Sequence, residues 1–164
     1  MHGFDTFEGM PSSTDRRDRN IIFDDAEWGE VQFSGKYEVL DEYCGSRYSN
    51  YMLHKGLFRD TLTDDFLESL RDELPVLVWI DCDFYTSTLE ALERLVPYPT
   101  TGCVVYFDEF EFNFGSRFTG QARIVHELNA GKFGDDIELI LDSALSLDSK
   151  RIYRSIHFSE FGSS

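Results

Sequence analysis

Two uncharged, β-rich runs, residues 76–80 and 103–107, each break off into acids: Asp81-Cys82-Asp83 after the first and Asp108-Glu109 after the second. The unbroken apolar run at 76–80 is the pattern of a strand covered on both faces of a parallel sheet. Both acidic groups then emerge at strand C-terminal ends, the edge at which open α/β sheets bind ligands. Between the runs, Leu89, Leu92, Leu95 and Val96 form a helical stripe behind a capping box of Ser87 and Glu90. Upstream, Thr61-Leu62-Thr63-Asp64 opens a helix that buries Phe66, Leu67, Leu70 and Leu74 and stops at Pro75. Downstream, Ala122, Ile124, Val125 and Leu128 give a helix over 119–130, with Gly131 placed to cap it.

Other segments read as strands. Residues 2–5 are the tail of one, and 49–55 form a second that ends at Gly56. Runs 137–141 and 151–158, with no helical pattern between them, predict an antiparallel hairpin at a sheet edge, joined by a loop over 142–150. Residues 14–30 read as a loop or short helix over a site, anchored by Ile21, Ile22, Phe23 and Trp28, and the charge run 15–19 as a solvated face. Alternating strands and helices predict a mostly parallel α/β sheet closed by the antiparallel hairpin, in a single domain over 1–164.

Carboxylates gathered at one sheet edge repel one another unless a proton, a cation or a cationic ligand intervenes, which makes a divalent metal the first candidate. The formal net charge of -16 disfavours nucleic acid and anionic membranes as partners. Cys44, Cys82 and Cys103 lack a C-x-x-C spacing and fit core thiols in a reducing cytoplasm. No apolar run approaches the roughly 18 residues of a membrane span.

Four ordered stretches carry a family resemblance: 3–11 (GFDTFEGMP), 55–62 (KGLFRDTL), 80–88 (IDCDFYTST) and 107–110 (FDEF). Together they resemble the macrocin O-methyltransferase family, S-adenosylmethionine-dependent enzymes of the Rossmann-like class I methyltransferase fold, many of which methylate sugar hydroxyls of natural products using Mg2+. The resemblance implies a small-molecule hydroxyl acceptor. It places Asp5 at the cofactor ribose, where a carboxylate accepts from two adjacent hydroxyls, against the alternative of an Asx turn. It places Gly56 and Phe58 beside the adenine, against Phe58 as core. It makes Asp81, Asp108 and Glu109 metal ligands, with Asp81 also facing the cofactor. Several characterised relatives have Asp-Asp-Tyr where this chain has Asp108-Glu109-Phe110. Asp83 and Tyr85 are expected to support the loop and the helix start.

No G-x-G-x-x-G run occurs in the sequence, and nothing before Asp5 resembles the first strand and helix of the family's fold. In the family's sheet that strand lies between the one ending at Asp5 and the one ending at Asp81. Three expectations stay open: a fragment or a start at an internal methionine, a non-catalytic remnant of the fold, or a sheet completed by a partner or a second copy. Asp-x-Asp after a strand also fits haloacid dehalogenase-like phosphatases, though they favour Thr where Tyr85 stands and Asp135-Asp136 precedes its strand. Metal-dependent glycosyltransferases use Asp-x-Asp as well, but leave the four ordered stretches unexplained.

Overall fold

A computed structural model of the chain describes residues 1–20, 33–146 and 150–161, so the anchors at Ile21, Ile22, Phe23 and Trp28 lie outside the described residues. The elements run β1 (His2–Asp5), α1 (Tyr37–Gly45), β2 (Met52–Lys55), α2 (Phe58–Thr61), α3 (Asp64–Ser69), β3 (Leu77–Ile80), α4 (Tyr85–Leu95), β4 (Val104–Phe107), a 3-10 turn (Phe112–Gly115), α5 (Gly120–Asn129), β5 (Ile137–Leu141), β6 (Arg151–His157) and a final 3-10 turn (Phe158–Phe161). None of the described helices is long and apolar enough to cross a membrane.

The described strands form two sheets. β1 and β2 pair in parallel, Asp5 opposite Lys55. The second sheet has the order β3-β4-β6-β5. In it β3 and β4 are parallel, Ile80 opposite Phe107, and β6 runs antiparallel to both of its neighbours, as the hairpin pattern predicts. One face of this sheet supplies Ile80, Val105, Phe107, Leu139 and Tyr153 to the core, which α4 and α5 close with Leu92, Val96, Ile124, Val125 and Leu128. The α5 stripe is buried as its spacing predicts, and Gly131, at φ 84°, takes the left-handed position that ends the helix.

The opposite face departs from expectation. Val76 is 78% exposed and Trp79 59% exposed, so the two-sided burial predicted for 76–80 is not met. Trp79 meets Tyr106 on β4 sideways, with ring centroids 4.1 Å apart. The reason is a cleft of about 1200 Å³, lined by β1, β3 and α3, which separates the two sheets where a continuous sheet would have further strand pairing. Three local expectations also change. α3 ends at Ser69, short of Pro75: Leu67 and Leu70 are buried as expected, but Leu74 lies beyond the helix and is half exposed. The sequence pattern did not reveal α1 or α2. α4 begins at Tyr85, ahead of the expected capping box, so Ser87 lies inside the helix.

Candidate functional site

The site follows from strand register. β3 and β4 lie side by side, and the Asp108 amide continues the ladder by donating to the Ile80 carbonyl at 3.1 Å. The acids that follow each strand are therefore neighbours. Asp83 sits in the left-handed region at φ 31°, a conformation that costs a non-glycine residue about 1–3 kcal/mol unless its surroundings hold it.

The electrostatics record the crowding. Burial, then the negative charge of Asp108, push the Asp81 carboxyl above its ordinary value, and the two side chains also hydrogen-bond. Burial, then the charges of Glu109 and Asp81, push Asp83 up to about 6. Burial raises Glu109 as well, although Lys150 partly opposes it. Asp108 goes the other way: burial would raise it, but hydrogen bonds from Lys150 and Tyr106 outweigh burial and hold it low. Tyr106 Oη donates to Asp108 Oδ1 at 2.7 Å, and Lys150 Nζ lies 2.8 Å from Asp108 Oδ2. The Glu109 amide donates to Gln121 Oε1 at 3.0 Å, which ties this end of β4 to the start of α5.

Asp81, Asp108 and Glu109 thus lie at one edge, with Lys150 and Tyr106 against Asp108. No three His, Cys, Asp or Glu side chains among the described residues converge in a way that could hold an ion, and both Asp108 oxygens are already hydrogen-bonded. As arranged, the cluster does not fit Mg2+, which demands near-ideal octahedral oxygen geometry.

The expected cofactor residues face the same cleft. Asp5, Gly56 and Phe58 line one part of it, and Asp81, Asp83 and Glu109 another. Asp5 is exposed at the end of β1, where its Oδ1 accepts from the Phe7 amide at 2.5 Å. The Asx turn weighed against a binding role is therefore present, and it fixes the carboxylate at the rim. The Asp5 carbonyl accepts from the Gly56 amide at 3.0 Å. Gly56 is required there, because at φ 142° a Cβ would also come within 3.1 Å of Thr61 Cγ2. Phe58 opens α2, partly buried.

The charge run 15–19 holds residues that sequence reasoning missed. Asp18 is only 5% exposed. Its Oδ1 accepts from the Thr86 amide at 3.0 Å, and its Oδ2 accepts from Thr86 Oγ1 at 2.7 Å and Ser13 Oγ at 2.5 Å. It therefore caps α4 from a distant segment, in place of Phe84, which has no side-chain acceptor. The Arg17 carbonyl accepts from the Gly120 amide at 3.0 Å, and the Arg19 carbonyl from Asn113 Nδ2 at 2.8 Å. One strap thus touches the elements that follow both acidic strand ends. Arg17 Nη1 also donates to Tyr85 Oη at 3.0 Å; that hydroxyl donates to Glu127 at 2.8 Å and accepts from Lys132 at 2.9 Å. The sequence offered no such signal, because the Ser87 and Glu90 pattern suggested a helix that capped itself, whereas the helix starts two residues earlier behind Phe84.

The mixed α/β architecture has the fold of solved methyltransferases. Its structure resembles that of CalS11, described as a calicheamicin methyltransferase, at 26% identity and a TM-score of 0.62, over 93% of this chain and 59% of that one. An apo structure of CalS11, described as a TDP-rhamnose 3'-O-methyltransferase in calicheamicin biosynthesis, matches in fold at 20% identity and a TM-score of 0.58, over 93% of this chain and 57% of that one. The chain belongs to the macrocin-O-methyltransferase (TylF) family, whose pattern matches residues 1–133. It spans under three fifths of the length of the two solved structures. No curated protein matches it.

Proposed function

We propose that this chain forms the acceptor-side and adenosine-side part of an S-adenosylmethionine-dependent O-methyltransferase acting on a hydroxyl of a sugar or sugar-bearing natural product. The observation that carries the reading is the single cleft that Asp5, Gly56 and Phe58 share with Asp81, Asp83 and Glu109. In the reaction the acceptor oxygen attacks the sulfonium methyl carbon. The C–O bond forms as the S–C bond breaks, the sulfonium leaves as the neutral thioether S-adenosylhomocysteine, and the hydroxyl proton passes to solvent. Asp5 accepts hydrogen bonds from the ribose, while Phe58 and the bare backbone at Gly56 bound the adenine. Holding both reactants in one cleft supplies the orientation that a displacement needs.

Magnesium is the ion the family resemblance suggests, and Asp81, Asp108 and Glu109 would be its oxygen ligands. Because the present arrangement leaves no such ligand set, no step here passes through a metal. We include in the reading that additional polypeptide pairs with β3 on the side facing β1 and completes the methionine end of the cofactor site, leaving to the reactants the part of the cleft lined by Asp5, Gly56, Phe58, Asp81, Asp83 and Glu109.

Saturation-transfer NMR with S-adenosylhomocysteine at about 1 mM detects weak binding of this kind. Adenine and ribose protons should receive saturation, methionine protons little, and Asp5→Ala or Phe58→Ala should remove the effect. No transfer, or transfer strongest at the methionine end, would overturn the reading.

A further inference from the structure

The acids at the ends of β3 and β4 need a positive charge beside them, and the fold delivers one without a metal. Because β6 runs antiparallel to β4, with Arg151 opposite Phe107, the start of β6 lies at the C-terminal end of β4. Lys150, the residue just before β6, is thereby carried to the edge that Asp81 and Asp108 occupy. Its Nζ lies 2.8 Å from Asp108 Oδ2 and donates to the Asp108 carbonyl at 3.1 Å. The next residue continues the match, since Arg151 pairs with Glu111.

We infer that Lys150 is the resident cation of the acidic cluster and that a divalent ion and its ammonium compete for Asp108. The inference shares its site with the proposed methyltransferase reading but does not need the cofactor. A hard cation binds bare carboxylate oxygens, and Tyr106 and Lys150 between them engage both oxygens of Asp108. Losing the ammonium would free Oδ2 and leave Asp81, Asp108 and Glu109 with their mutual repulsion unrelieved, a condition that draws in a cation. Keeping the ammonium makes divalent binding weak. The hairpin that the fold adds after α5 therefore sets the metal response of strands laid down well before it in the sequence.

The test is Mn2+ binding by the 164-residue protein without cofactor, read by electron paramagnetic resonance of the free ion. Lys150→Met should bind Mn2+ at least about tenfold more tightly than the wild type, because a repelling charge is removed and an oxygen freed. Lys150→Arg, which keeps the charge, should match the wild type. Equal affinities for wild type and Lys150→Met, weaker binding by the variant, or no binding by either would overturn the inference. Should Lys150→Met fail to fold, Lys150→Gln serves with the same expectations. The NMR signal of reductively methylated Lys150 in the wild type gives a second readout: Mg2+ that binds at the cluster should shift it toward the position of a free lysine, and binding there without a shift overturns the inference. Saturation transfer from S-adenosylhomocysteine is indifferent to these outcomes, so the cofactor reading and this one fail separately.

Discussion

Replacing Glu127 by Gln tests the largest charge network outside the acidic edge. Glu127 accepts from Tyr85 Oη at 2.8 Å and pairs with Arg123 at 2.6 Å and Lys132 at 2.6 Å. Burial alone would raise its carboxyl, but hydrogen bonds from Lys132, Tyr85 and Arg123 outweigh it and bring the pKa down from 4.5 to about 2. Such a shift corresponds to roughly 3 kcal/mol of stability. Arg123 is 29% exposed and Lys132 37% exposed, so solvent screening should cut this to about 1.5–2 kcal/mol. The sign is set by a depressed carboxylate. The contribution is fully present above the unfolded value near 4.5, and is lost as pH falls toward 2 and the folded-state group takes up its proton. Urea unfolding followed by circular dichroism should therefore find Glu127→Gln about 1.5–2 kcal/mol less stable than wild type near pH 7, with the gap closing to under about 0.5 kcal/mol near pH 2. A gap of the same size at both pH values, or none near neutrality, would refute the reasoning.

Asp18→Ala removes the distant cap of α4 and should cost about 1–2 kcal/mol, with faster hydrogen exchange at the Thr86 amide, whereas unchanged exchange there would show that the bond is dispensable. Phe107 is 0% exposed in the middle of the core, so Phe107→Ala should cost about 3–5 kcal/mol by urea unfolding; a loss below about 1 kcal/mol would mean that the site collapses to fill the space. Burial pushes the Cys82 thiol up to about 12 and the Cys103 thiol up to about 11. At about pH 8 Cys103, which is buried, should react with a thiol reagent far more slowly in the native protein than in urea, and equal rates would contradict the burial.

The sequence made the acidic edge legible because strand and helix patterns there are local. An apolar run followed by acids states its own place on a sheet, and the stripe of Ala122, Ile124, Val125 and Leu128 states its own face. The hairpin was legible for the same reason. What could not be read was set by contacts across long sequence distances. Asp18 looks like any member of a charged run until Thr86 is seen beside it. Lys150 gains its place only when β6 is laid against β4. The exposure of Trp79 depends on what occupies a cleft two elements wide, which no local pattern encodes. The run of acids was legible, but not that both Asp108 oxygens are engaged by Tyr106 and Lys150, because composition tells how many carboxylates meet and not what their oxygens touch.

The distant cap on α4 has a kinetic side. A helix that carries its own N-cap can form its first turn as soon as the local chain is ordered; here the acceptor comes from a residue 68 positions earlier. The first turn of α4, the strained Asp83 peptide and the strap should therefore open and close as one cooperative unit, separable from the β4–β6 core and lower in free energy. Folding of the sheet would come first and locking of the acidic turn last, so that Asp81 to Asp83 are the last to become rigid and the first to loosen.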